Sequence, residues 1–172
     1  MPTARPKQPE GSRLAGRGTV SLVPYAPVHR QAFHDLNLAW LEKYFTVEPV
    51  HLKVLRDPEG EIIAKGGEIF FALLDGKPVG TVAVRADGGG AYELTKLGVD
   101  PAAQGYGIGR KLCQAVIDWY KAQPDGVRLF LETHTKLKPA MHLYEALDFR
   151  LTKNPGADEY EGTDCYMEWR PS

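Results

Sequence analysis

Between Leu97 and Arg110 the chain reads Leu-Gly-Val-Asp-Pro-Ala-Ala-Gln-Gly-Tyr-Gly-Ile-Gly-Arg. Three glycines at alternate positions, Gly105, Gly107 and Gly109, follow a β-rich run and open an amphipathic one. The first turn of a helix leaves backbone N–H groups without intrahelical partners, and these carry the positive end of the helix dipole. Glycines lack a Cβ, so an anion can approach that backbone closely. The pattern predicts a cradle of successive amides for a phosphate or diphosphate, with Arg110 and Lys111 adding positive charge. A Walker A loop, GxxxxGK followed by Ser or Thr, is absent. The dinucleotide fingerprint GxGxxG, started at Gly105, meets Arg110 where its last glycine should stand. A turn that merely caps a helix would need one glycine, not three at a helix start.

The elements around this turn read as mixed α/β. Thr19 to Val23 is an expected first strand, and Val28 to Phe45 carries apolar residues at helical spacing. Glu48 to Arg56 reads as a shorter helix, and Asp57 to Gly67 as mostly loop. Glu68 to Leu74 and Lys77 to Arg85 flank Asp75-Gly76, a hairpin signal. Ala91 to Val99 is the next strand; simple alternation places Ala91, Glu93, Thr95, Leu97 and Val99 on one face, and Tyr92, Leu94, Lys96 and Gly98 on the other. Gly109 to Gln123 is an expected amphipathic helix, Val127 to Glu132 a strand, Pro139 to Leu147 a helix. Phe149 to Thr152 and Asp164 to Trp169 close the chain as a strand pair. This order predicts a mainly antiparallel sheet of six to seven strands flanked by about four helices.

Length and charge bound the functions. The 172 residues suit one domain, expected over residues 19 to 172, after a flexible tail over residues 1 to 18 rich in Pro, Gly and Arg. A net charge of -1 gives no electrostatic footprint for nucleic acid or an anionic membrane. No run approaches the length of a membrane span, and residues 1 to 18 lack the apolar core of a secretory signal. Cys113 and Cys165 read as reduced, buried thiols, which fits the cytoplasm. The histidines show no metal-ligand spacing, and no metal is expected.

Gln104, Gly107 and Gly109 fit the fixed positions of (Arg or Gln)-x-x-Gly-x-(Gly or Ala), and here the chain resembles the GNAT superfamily of N-acetyltransferases. The strand end Leu97-x-Val99-x-Pro101 resembles the family's as well. So does Ala140-Met-His-Leu-Tyr144-Glu-Ala-Leu-Asp-Phe149, and the Leu131-Glu-Thr133 run is similar to that of an unassigned bacterial subgroup. The resemblance covers residues 19 to 170 and implies a GNAT-like fold whose sheet is splayed in the middle.

It also implies a direct transfer of acetyl from acetyl-CoA to a primary amine in a ternary complex. Leu97, Gly98 and Val99 would offer backbone groups to the pantetheine arm, and Gln104, Gly105, Tyr106, Gly107, Ile108, Gly109 and Arg110 would hold the pyrophosphate. Tyr144 aligns with the tyrosine that protonates the departing thiolate. Glu93, taken to share a face with Leu97 and Val99, is the candidate general base, with Glu132 and His134 behind it. A strand-end asparagine of the family is missing, and His134 is the candidate replacement as a donor to pantetheine. Asp148 stands where the family has glycine. The acceptor, a small-molecule or peptide amine, is not readable. An acidic rim of Asp158, Glu159, Glu161 and Asp164 would suit a cationic one, and a homodimer is common in the resembled family. The alternative is a catalytically degenerate acyl-CoA sensor or interaction module.

Overall fold

The computed structural model describes residues 18–155 and 165–172. Residues 1–17 of the expected tail, and Asp158, Glu159, Glu161 and Asp164 of the expected acidic rim, lie outside the described residues. Seven strands form one sheet in the order β1-β2-β3-β4-β5-β7-β6. They are β1 (Val20–Pro24), β2 (Glu68–Leu74), β3 (Lys77–Gly88), β4 (Ala91–Val99), β5 (Arg128–Thr133), β6 (Phe149–Leu151) and β7 (Cys165–Trp169). Every neighbouring pair is antiparallel except β4 and β5, which run parallel because a helix carries the chain across between them. Among the described residues the α-helices are α1 (Arg30–Tyr44), α2 (Pro49–Arg56), α3 (Ile108–Lys121) and α4 (Lys138–Ala146).

The expected elements form in the expected order, with one difference. Glu59–Ile63, read as loop, winds into a π-helical turn. The amide of Gly60 donates to the Asp57 carboxylate, and Ile62 is fully buried, so a local cap and one apolar anchor hold a segment that glycine and proline content alone marks as irregular.

Two cores sandwich the sheet. On one face α3 and α4 bury Leu112, Val116 and Tyr144 against Val82, Val84, Leu94, Leu129 and Leu131. On the other, α1 and α2 bury Phe33 and Leu55 against Ile69, Phe71 and Ala83. Each such side chain contributes roughly 1.5–3 kcal/mol of burial, which a short helix needs because its own hydrogen bonds are marginal in water. One contact sets the height of α3 against the sheet. A Cβ on Gly80 of β3 would lie 2.7 Å from the Ile108 side chain, so the first turn of α3 sits directly on the strand. Beyond α1, the second face over β5 and β7 carries a smaller cluster, with Phe130 stacked on Tyr166 beside Ala91.

Candidate functional site

The chain leaves β4 through a pinned corner. Asp100 donates its amide to the Val79 carbonyl at 2.8 Å, and its carboxylate accepts from the Ala102 amide at 2.9 Å. A short 3₁₀ turn over Pro101–Ala103 follows. Gly105 and Gly107 then take left-handed backbone, φ 92° and 70°, and Gly107 stands at the N-cap of α3. An L side chain in the left-handed helical region costs about 1–2 kcal/mol, so glycine is the natural occupant. Tyr106 and Ile108 between them point inward, 4% and 3% exposed, and anchor the turn. Gly109 lies against α4, where a Cβ would be 3.3 Å from Leu143. Among the described residues the amides of Gly105, Gly107, Ile108, Gly109 and Arg110 donate to no protein acceptor; the ladder of α3 begins with Lys111 donating to Gly107. Gln104, Gly105, Gly107 and Arg110 are exposed. The turn thus offers amides without a protein acceptor and is held from beneath by Tyr106 and Ile108.

The strand feeding this turn is where simple alternation fails. Pairing of β3 with β4 runs Ala83↔Thr95, then Thr81↔Gly98, so Val82 faces two residues, Lys96 and Leu97. This is a β-bulge, and Lys96 adopts φ 56° within it. One extra residue reverses the side-chain parity downstream. Leu97 and Val99 therefore join Tyr92 and Leu94 on the α3 face, while Gly98 turns to the α1 face. The expectation that Glu93 shares a face with Leu97 and Val99 is corrected accordingly: Glu93 pairs with Arg85 on the α1 face. Gly98 has a packing reason of its own. A Cβ there would approach the Leu36 carbonyl of α1 to 3.1 Å.

The bulge also marks an opening. β4 pairs with β5 only from Ala91 to Glu93, opposite Arg128 to Phe130. Beyond Glu93, β4 continues with β3 alone, and β5 turns its other edge to β7 as far as Thr133. The facing edges of Leu94–Val99 and Leu131–Thr133 share no ladder, which leaves unpaired backbone groups where an extended ligand can add itself as a strand.

Charged groups gather on the α1 face of this opening. The Arg85 guanidinium donates twice to Glu93, at 2.8 and 3.0 Å, and bridges to Asp87 at 3.0 Å. Glu93 is thereby committed to an ion pair. Glu132 accepts from the Asn154 side chain at 2.9 Å. Burial, reinforced by the nearby Glu93 charge, pushes the Glu132 carboxyl above the ordinary carboxylate range despite that hydrogen bond. Lys96, in the bulge, feels both Glu93 and Arg85; its desolvation lowers the ammonium below the usual lysine range. Sequence reading left out Arg85, Lys96 and Asn154. The cross-strand pair Arg85–Glu93 follows from the hairpin register, whereas no residue type announces the bulge that displaces Lys96.

On the opposite face Tyr144 projects from α4 into the main core, 7% exposed, with its ring edge-on to Phe149. Burial drives its hydroxyl far above the ordinary tyrosine range, with buried Cys113 nearby. Among the described residues no hydrogen bond to this hydroxyl forms, yet no buried side-chain polar atom is left unpartnered, so the oxygen reaches solvent-accessible space. His134 follows β5. Its Nδ1 accepts the Lys136 amide at 3.1 Å, which in the neutral ring places the proton on Nε2 and makes that nitrogen a donor. Asp148 takes the left-handed conformation, φ 74°, that a glycine would fill, and its carboxylate is neutralised by Arg150 at 3.0 Å.

The comparisons with known proteins agree with this arrangement. The sequence model of the acetyltransferase (GNAT) family matches residues 30–149. The N-alpha-acetyltransferase RimI of Mycobacterium tuberculosis is 37% identical over 76 residues, 40% of this chain and 46% of the relative. The mycothiol acetyltransferase of Acidothermus cellulolyticus is 31% identical over 135 residues, 72% of this chain and 38% of the relative. The chain thus spans less than half the length of these curated relatives. A GNAT-family acetyltransferase of Staphylococcus aureus Mu50 superposes with a TM-score of 0.77 at 19% identity, over 87% of this chain and 98% of that one. A phosphinothricin acetyltransferase of Sinorhizobium meliloti, solved in complex with acetyl-CoA, gives 0.71 at 16% identity, over 87% and 86%. With the family model covering more than half of its residues, and a splayed sheet and glycine turn where that family's motifs fall, the chain belongs to the GNAT family of acetyltransferases.

Proposed function

We propose that the chain transfers acetyl from acetyl-CoA to a primary amine, and that the observation carrying this reading is the set of acceptor-less amides of Gly105, Gly107, Ile108, Gly109 and Arg110 beside a β4 edge that shares no ladder with β5. The donor set fits a diphosphate: two of the amides sit on the left-handed glycines Gly105 and Gly107, the others open a 14-residue helix at its positive end, and Arg110 is exposed alongside. When bound there, acetyl-CoA supplies the thioester carbonyl that the amine attacks. The open edge from Leu97 to Val99 would hold the pantetheine arm as an added strand, with His134 Nε2 as a side-chain donor. A backbone amide near Leu97 would polarise the carbonyl, a contact worth about 3–4 kcal/mol in comparable oxyanion sites.

Two proton transfers remain. A primary amine is mostly protonated at neutral pH and must lose a proton to attack. Glu132 suits that work better than Glu93, because its carboxyl is raised toward neutrality and held by a neutral amide, whereas Glu93 is bound to Arg85. Tyr144 keeps its proton throughout the neutral range and can donate a hydrogen bond to the departing sulfur. Base and acid stand on opposite faces of the sheet, and the opening between β4 and β5 joins those faces. The curated relatives, an N-alpha-acetyltransferase and a mycothiol acetyltransferase, support acetyl transfer as the reaction.

The test is a thiol-release assay with acetyl-CoA against a panel of small amines and peptides, with calorimetry of coenzyme A binding alongside. Tyr144→Phe is expected to lower turnover about 100-fold, with coenzyme affinity preserved. Unchanged turnover removes Tyr144 from the acid role. Absence of any coenzyme heat in folded protein removes the whole reading.

A further inference from the structure

Lys96 is an unusual residue to find in its position. It occupies the bulge of β4 at φ 56°, in a backbone region that non-glycine residues seldom enter. It lies three residues beyond Glu93, the last β4 residue paired with β5, and so at the mouth of the opening. The charged groups of the α1 face are tied to one another: Arg85 to Glu93 and Asp87, and Glu132 to Asn154. Among the described residues the Lys96 ammonium makes no hydrogen bond and no salt bridge; Glu93 reaches it only as a longer-range field. Among the described residues no buried side-chain polar atom is left without a partner, so this ammonium opens onto accessible space. A half-buried cation held by a strained backbone, with no anion of its own, costs stability unless an anion completes it.

We infer that Lys96 is a specificity residue that binds a carboxylate on the acceptor, so that the preferred amines are those that also carry an acid group. The inference rests on the acetyl-transfer reading of the same opening and deepens it by naming the acceptor class. A carboxylate at Lys96 would anchor the acceptor at the mouth of the opening and leave its amine free to approach Glu132. The partly desolvated setting strengthens the pairing, because a charge interaction grows as water is excluded. It also explains the choice of lysine: the flexible stem lets the ammonium reach a ligand from a backbone turned away from ordinary strand geometry.

The experiment uses product-like probes and needs no turnover. A set of N-acetylated amino acids, including N-acetylglycine and N-acetyl-β-alanine, is titrated as free acids and as the matching amides, with and without saturating coenzyme A. Coenzyme heat is read first in the same cell, so failure of the acetyl-transfer reading shows as no coenzyme binding. Failure of the present proposal shows as no acid–amide difference in either condition. The expected result is at least tenfold tighter binding of acids over amides for some members. That preference should be lost in Lys96→Met and retained in Lys96→Arg, with coenzyme affinity of both variants near that of the parent and the melting temperature of Lys96→Met no lower than the parent's. Equal binding of acids and amides, no acid binding across the set, or a preference that survives in Lys96→Met overturns the assignment.

Discussion

The two sides of the β4–β5 opening are built on different principles. The proposed cofactor side is a contiguous segment, Gln104 to Arg110, which would bind through backbone amides and whose geometry comes from left-handed glycines. The proposed acceptor side is a side-chain constellation, in which Arg85, Glu93, Lys96, Glu132 and Asn154 arrive from β3, β4, β5 and the segment after β6. A site made of amides tolerates changes of side chain and fails when the backbone is disturbed. One made of side chains fails one charge at a time. The first side can serve a whole family with one cofactor, while the second can be retuned for each acceptor.

That contrast can be broken most directly at Glu132, the proposed base. Glu132→Gln is expected to lower kcat/KM about 100-fold, the scale of a lost general base, with coenzyme affinity unchanged. The pH profile sharpens the point. A base works ionised, and burial raises the Glu132 carboxyl, so activity should fall as pH drops through a value above the ~4.3 of a free glutamate. The Asn154 hydrogen bond lowers that carboxyl, so Asn154→Ala should move the acid limb to higher pH. A limb that stays in place, or moves down, excludes Glu132 as the group titrating.

On the cofactor side a backbone lesion should be the larger one. Gly107→Val puts a β-branched residue at φ 70°, and calorimetry should show at least ~10-fold weaker coenzyme binding from a strain of about 1–2 kcal/mol and the lost approach. Unchanged affinity would mean that the amides there are not the ligands. The smallest effect is expected at Glu93. Glu93→Gln should leave turnover within about threefold, yet lower stability by about 1–2 kcal/mol in denaturant titration, since Arg85 keeps only Asp87. A larger loss of turnover than of stability would return Glu93 to the catalytic role.

Most elements were legible because their signals are local. The periodicity of Gly109 to Gln123 predicts α3, Asp75-Gly76 predicts the β2–β3 hairpin, and the glycine turn announces itself by spacing alone. Asp148 was legible as an oddity, and its partner Arg150, two residues further on, is a local one as well. The faces of β4 were misread from one cause. Alternation assumes one residue per step, and nothing in Thr95-Lys96-Leu97 shows that two of them will oppose Val82.

By itself, then, the sequence determined whatever depends on neighbours within a few residues: the order of elements, the turn with its bare amides, and the helix that carries Tyr144. Only the tertiary structure decided which strand residues share a face, which carboxylate is bound by arginine and which is left raised, and where an unmatched lysine stands. The reason is physical. Register shifts and charge pairings are set by contacts between strands far apart in the chain, and the field at each group sums over partners that the linear order does not reveal.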